Sequence, residues 1–193
     1  MGKAKKKTST TIGVMLIIAI IILLFYYYWS NRTTPIDTSS DHQSEVEKLI
    51  SKDLELYYPE TPKEVAKLYA SMTKNIYGNL KDEEVKALAL KVRELYDEKF
   101  LEENPEDAYL NDLYSDIAKW KDNKRTILSF VIVNEDMDEE NEIDGVKYAT
   151  KSVSFTIQED VRFAEIRELF LRQDENKKWK IFGWRYVSEE EDK

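Results

Sequence analysis

Residues 12–29 read IGVMLIIAIIILLFYYYW, eighteen positions without a charged side chain. A helix of that length rises about 1.5 Å per residue, or roughly 27 Å, close to the thickness of a bilayer's hydrocarbon core. The run is apolar on every face, which suits lipid better than the one-sided burial of a globular helix. Every charge before it is a lysine (Lys3, Lys5, Lys6, Lys7), so the positive-inside rule keeps residues 1–11 in the cytoplasm. Tyr26, Tyr27, Tyr28 and Trp29 form an aromatic belt at the outer interface. A cleavable signal peptide would have a shorter apolar core followed by small residues, whereas this one ends in four bulky rings. The expectation is an uncleaved single-pass anchor, with the lipid bilayer as partner of residues 12–29.

The chain beyond the anchor is acidic. All 193 residues together carry −9; setting aside the four N-terminal lysines leaves −13 on the remainder. Nucleic-acid binding is not expected, because phosphate contacts need clustered Lys and Arg. The sequence has no cysteine, which removes disulfides, thiol nucleophiles and lipoprotein anchoring and leans toward a Gram-positive surface. The single histidine, His42, lies in the polar linker of residues 30–43. A multi-histidine metal site or a histidine-based triad cannot be assembled from one imidazole.

Residues 44–187 read as one α+β domain, with an acidic tail at 188–193. Ser44 and Glu47 form a capping box, and Val46, Leu49, Ile50, Leu54 and Tyr57 repeat at helical spacing up to Pro59. Thr61, Pro62 and Glu64 announce a second helix, which Gly78 stops. A third is predicted over residues 82–100, and a fourth through Leu110, Leu113, Tyr114, Ile117 and Trp120. Strands are predicted over residues 127–133, 146–157, 161–173 and 178–187, where β-branched and aromatic residues alternate. In the last, Trp179, Ile181, Gly183, Arg185 and Val187 are expected on one face, with Lys178, Lys180, Phe182, Trp184 and Tyr186 on the other. Asp144-Gly145 reads as part of a hairpin turn. Three to four helices packed on a curved antiparallel sheet of about four strands is the expected architecture.

The stretch from Leu169 to Trp184, LFLRQDENKKWKIFGW, together with Asn75-Ile76-Tyr77, Leu95-Tyr96-Asp97 and Asn104-Pro105, resembles an uncharacterised family of single-pass membrane proteins from Gram-positive anaerobes. The element order also resembles the nuclear-transport-factor-two-like cone, whose helices fill the concave side of a curved sheet. The first resemblance implies no biochemical activity; the second spans isomerases, binding modules and channel subunits, so function has to come from the site.

Three groups of residues carry candidate chemistry. The acidic stretch from Glu135 to Gly145 is rich in calcium-type oxygens, but no register puts glycine at loop position six and glutamate at twelve; a solvated hairpin loop is the simpler reading. Tyr77, Tyr96, Phe170, Trp179 and Trp184 are candidate linings of a pocket inside the cone, with Asp97 or Tyr109 as its acid or base. Aromatics at these spacings more often form core, so no catalytic residue, metal or cofactor is expected. The favoured reading is a non-catalytic extracytoplasmic module for protein–protein interaction, self-association or envelope assembly. A structural subunit of a conjugation or secretion channel is the alternative, and a small-ligand binder or isomerase the third.

Overall fold

In a computed structural model, residues 45–133 and 140–187 are described, and they belong to one compact unit. No helix among them is long and apolar enough to cross a membrane, and the run at 12–29 lies outside them. Residues 45–50 are helical, followed by α1 (Pro62–Ile76), α2 (Asp82–Arg93), α3 (Glu98–Glu103) and α4 (Glu106–Asp122). The strands are β1 (Thr126–Val133), β2 (Asn141–Ile143), β3 (Val146–Gln158), β4 (Arg162–Gln173) and β5 (Trp179–Val187). All pairings are antiparallel, in the order β1-β3-β4-β5, with β2 beside the start of β3. The domain is α+β, with four long strands as expected and one short one added.

Local chemistry sets most boundaries. Thr61 accepts a hydrogen bond from the Glu64 amide (3.2 Å) while Glu64 accepts from the Thr61 amide (3.2 Å), closing a capping box ahead of Pro62. Helix α4 ends in a Schellman turn with Lys124 at φ 54°: the Arg125 amide donates to the Trp120 carbonyl (2.8 Å) and that of Lys124 to Lys121 (3.0 Å). Asp144 (φ 52°) and Gly145 (φ 79°) form the two-residue turn between β2 and β3, whose twist matches the strands it joins.

Two predicted helices are shorter than their periodicity suggested. Among the described residues the first is helical over 45–50 and stops well short of Tyr57, because the Asp53 carboxylate captures the amides of Glu55 (2.9 Å) and Leu56 (3.1 Å) and turns the chain. Leu54 stays buried, but Leu56 and Tyr57 are left 70% and 65% exposed. The predicted helix over 82–100 breaks after Arg93. The Leu95 carbonyl accepts from the Ile181 amide (2.8 Å) and the Asp97 amide donates to the Ile181 carbonyl (2.9 Å), so Tyr96 pairs with β5 as a short parallel bridge. Asp97 then caps α3 by accepting from the Lys99 amide (3.1 Å).

The helices cover one face of the sheet. Ala149, Val153, Phe155 and Ile157 of β3, Leu169 and Leu171 of β4, and Trp179 and Ile181 of β5 are buried there against Val65, Tyr69, Met72, Leu88 and Leu95. Lys151 and Arg167 share this inner face and are only 2% and 4% exposed. A bulge between β4 and β5 changes the predicted alternation: Phe170 pairs with Gly183 and Leu171 with Ile181, leaving Phe182 as the extra residue. Directly paired residues point the same way. Trp184, opposite Leu169, and Tyr186, opposite Arg167, therefore join Trp179 and Ile181 on the inner face. Arg185 moves to the outer face, where its Nε lies 2.6 Å from Glu168.

Candidate functional site

Where α1, α2, α4 and the inner face of the sheet converge, a cavity of about 90 Å³ is left between Tyr69, Tyr77, Tyr96, Tyr109, Arg167 and Trp184. Tyr69 reaches it from α1 and Tyr77 from that helix's C-cap, the break at 94–97 turns Tyr96 in, and the β5 bulge supplies Trp184. Arg167 dominates its electrostatics. The Nε and Nη2 atoms lie 3.0 and 2.9 Å from Glu165 Oε1, Nη1 reaches the Tyr69 hydroxyl at 3.5 Å, and the rings of Phe155, Trp184 and Tyr186 surround the guanidinium at 5.1–5.4 Å. Burial alone disfavours this charge, but Tyr69, Tyr186 and Glu165 outweigh it and hold Arg167 more firmly protonated than usual.

The phenols are equally settled. Burial, then the hydrogen bond to Asp116 (2.5 Å), pushes the Tyr77 hydroxyl well above its ordinary value. Burial and the neighbouring Tyr109 do the same for Tyr96, and burial carries Tyr109 up to about 12. None is a phenolate base near neutral pH. Asp97 lies outside this cavity, on a polar cleft of about 720 Å³ shared with Arg172, Asp174, Lys177 and Lys180. Burial raises its carboxyl, but Arg172, at 2.7 and 2.5 Å, and the Lys99 amide prevail and hold it below the usual carboxylate range. A carboxylate so engaged positions α3 against β4 and has no proton to give.

Of the residues named from the sequence, Tyr77, Tyr96, Tyr109 and Trp184 meet around one cavity. Phe170 does not: it sits on the outer face, opposite Gly183 and beside Phe182. Trp179 is buried on the inner face but apart from the cavity, its carbonyl accepting the Tyr58 hydroxyl at 2.7 Å. Tyr69 and Arg167 do not stand out in the sequence as site residues. For Arg167 a signal exists, since it occupies an inward position two residues before Leu169. Among the described residues no group of His, Cys, Asp or Glu is placed to hold a metal ion. Residues 135–139 of the acidic stretch lie outside them, while Glu140 pairs with Lys147 at 3.5 Å.

The exterior is less satisfied. A groove of about 840 Å³ runs between the irregular segment after residue 50, α1 and β1, lined by Leu49, Leu56, Tyr57, Tyr58, Leu68 and Phe130. A hollow of about 310 Å³ beside Trp120 carries Lys121, Lys124 and Arg125, cations that suit the carboxyl end of α4.

Residues 1–184 match the family described as Domain of unknown function (DUF6715). The chain belongs to that family. The DUF6715 match takes in both the apolar run at 12–29 and the α+β domain as far as Trp184. No curated protein matches the sequence.

Proposed function

We propose that this chain is a membrane-tethered, non-catalytic interaction module, with its α+β domain on the extracytoplasmic side of a Gram-positive cell membrane. The observation that carries the reading is the filled interior. A cavity of about 90 Å³ has room for roughly two or three waters, against the several hundred Å³ of ordinary small-molecule sites. Around it the ionisable groups are engaged: Arg167 by Glu165, Tyr77 by Asp116 and, at the neighbouring cleft, Asp97 by Arg172. On this reading the helices and the bulged sheet make a nuclear-transport-factor-two-like cone whose inside is core. The tether is supported by the uncharged run at 12–29 and the four lysines before it. The family match, which spans that run and the domain together, adds to it.

Alkaline carbonate extraction and protease shaving of intact cells test the proposal. The chain should stay with the membrane pellet, and protease added outside should remove the domain while residues 1–11 remain protected. Recovery in the carbonate supernatant, or a domain cleaved only after lysis, would overturn it.

A further inference from the structure

The charges of this chain are unevenly placed. Over the whole sequence acids outnumber bases 38 to 29, yet the hollow of about 310 Å³ at the end of α4 is lined by Lys121, Lys124 and Arg125 and by no carboxylate. Two carboxylates touch lining residues without lining the hollow: Glu159 holds Arg125 Nη2 (3.0 Å), and Asp116 accepts the Tyr77 hydroxyl (2.5 Å). Among the described residues Lys121 and Lys124 have no ion-pair partner. Arg125 Nε is closed off from solvent and has no acceptor among them, so Glu159 compensates only part of that guanidinium.

The helix end alone does not account for this. A carboxyl terminus carries roughly half a unit of negative charge, and three cations less Glu159 exceed it about fourfold. The last carbonyls are occupied as well, since those of Lys119, Trp120 and Lys121 accept the amides of Asn123, Arg125 and Lys124. Lys124 sits at φ 54°, where glycine or asparagine closes such a turn with less strain, so the lysine stands there against backbone preference. Positive charge is concentrated here beyond what the fold requires.

We propose that this hollow binds a phosphate ester. An anion supplies the missing counter-charge, and the choice of phosphate follows from how the cations are offered. A planar carboxylate is matched best by a guanidinium fork, but Arg125 has Nη2 given to Glu159 and Nε occluded. What remains is the ammonium groups of Lys121 and Lys124, point charges on flexible stems that can follow tetrahedral phosphate oxygens. The floor is apolar, made by Ile117, Trp120 and the ring of Tyr77, whose centroid lies 4.4 Å from that of Trp120. Such a floor favours an organic body over a bare ion. The volume of about 310 Å³ stands at the lower end of the roughly 300–1,000 Å³ of small-molecule sites. It suits a phosphate on a small alcohol, whether a soluble ester or the headgroup of a lipid. The inference names a ligand class for the interaction role proposed above; it rests on that role and not on the anchor.

Calorimetric titration of the full chain in mild non-ionic detergent tests it, with phenyl phosphate, inorganic phosphate and phenol as probes. Phenyl phosphate should bind saturably and more tightly than inorganic phosphate, and phenol should give no saturable heat. The double change Lys121→Gln, Lys124→Asn, the second suited to φ 54°, should weaken phenyl phosphate about tenfold or more. Lys86→Gln, on the exposed side of α2, should leave binding unchanged. No saturable binding by the unmodified chain, equal affinity for inorganic phosphate, or an affinity indifferent to the double change overturns the proposal. Hydrogen exchange of the unmodified chain in proteoliposomes separates the two sources and does not depend on variant folding. Slower exchange over residues 117–126 in anionic phosphatidylglycerol than in zwitterionic phosphatidylcholine assigns the site to a lipid headgroup. Slowing only once phenyl phosphate is added assigns it to a soluble ester, and slowing under neither condition overturns the proposal. Each result is separable from the shaving experiment, which reads topology alone.

Discussion

Asp97 shows how much one side chain settles here. Its carboxylate takes two hydrogen bonds from Arg172 and one from the Lys99 amide, and its own amide holds Ile181. Removing the charge leaves Arg172 short of its partner, so Asp97→Asn should destabilise the domain by about 2 kcal/mol at neutral pH. Because the folded-state carboxyl lies below its ordinary value, its stabilisation is complete above the unfolded value near 4 and fades as pH falls through the folded one. Urea midpoints from neutral pH downward should therefore converge for native chain and variant in acid. A gap that persists unchanged at low pH would show that the ion pair is not what stabilises. In the sequence, Asp97 reads as the end of an apolar stripe or a candidate acid. Its work as a cap is local to Lys99, whereas the ion pair depends on Arg172, a residue brought near only by the fold.

At the scale of elements, strand periodicity served better than helical periodicity. The predicted strands fall within about a residue of those observed, because each is long, alternates and ends at a polar turn. The helical predictions overran at Asp53, whose carboxylate finds backbone amides that no apolar count registers, and after Arg93, where residues 95–97 pair with the backbone of Ile181. The β5 bulge was the costliest omission, since it puts Trp184 and Tyr186 inside, whereas Phe170 is outside by the plain alternation of β4. Its mark in the sequence is Gly183, an isolated glycine within a strand. A paired substitution separates the two turn-and-bulge glycines. Gly145 sits at φ 79°, so Gly145→Ala should cost about 1 kcal/mol. A Cβ at Gly183 meets only Phe170 Cδ2 at 3.9 Å, and Gly183→Ala should stay within about 0.5 kcal/mol of the native chain. Equal chemical-denaturation midpoints for the two variants would contradict this assignment.

For the whole molecule, helices and sheet share one apolar core, running from Val46 through Leu88 and Leu95 to Ile181. Trp120 reports from α4 and Trp179 from β5, both buried. Unfolding should accordingly be a single transition, with far-ultraviolet dichroism and tryptophan fluorescence superimposing; separated transitions would mean that helices and sheet melt independently. The fold class and most of the strand map were legible in the sequence because hydrophobic period and turn chemistry are local. The interior was less so: which aromatics converge is decided by one bulge and one helix break, both answers to distant backbone.

The clasp between residues 95–97 and Ile181 also bears on how such a chain is made. A ribosome delivers the helices first, and every strand of the sheet comes after them. Until β5 arrives, the Leu95 carbonyl lacks its partner amide and the Asp97 amide lacks its carbonyl. The clasp must therefore wait for nearly the entire domain to be synthesised. Chains stopped short of Trp179 would lack the strand that clasps residues 95–97 and the core side chains Trp179 and Ile181, ready substrates for quality-control proteases.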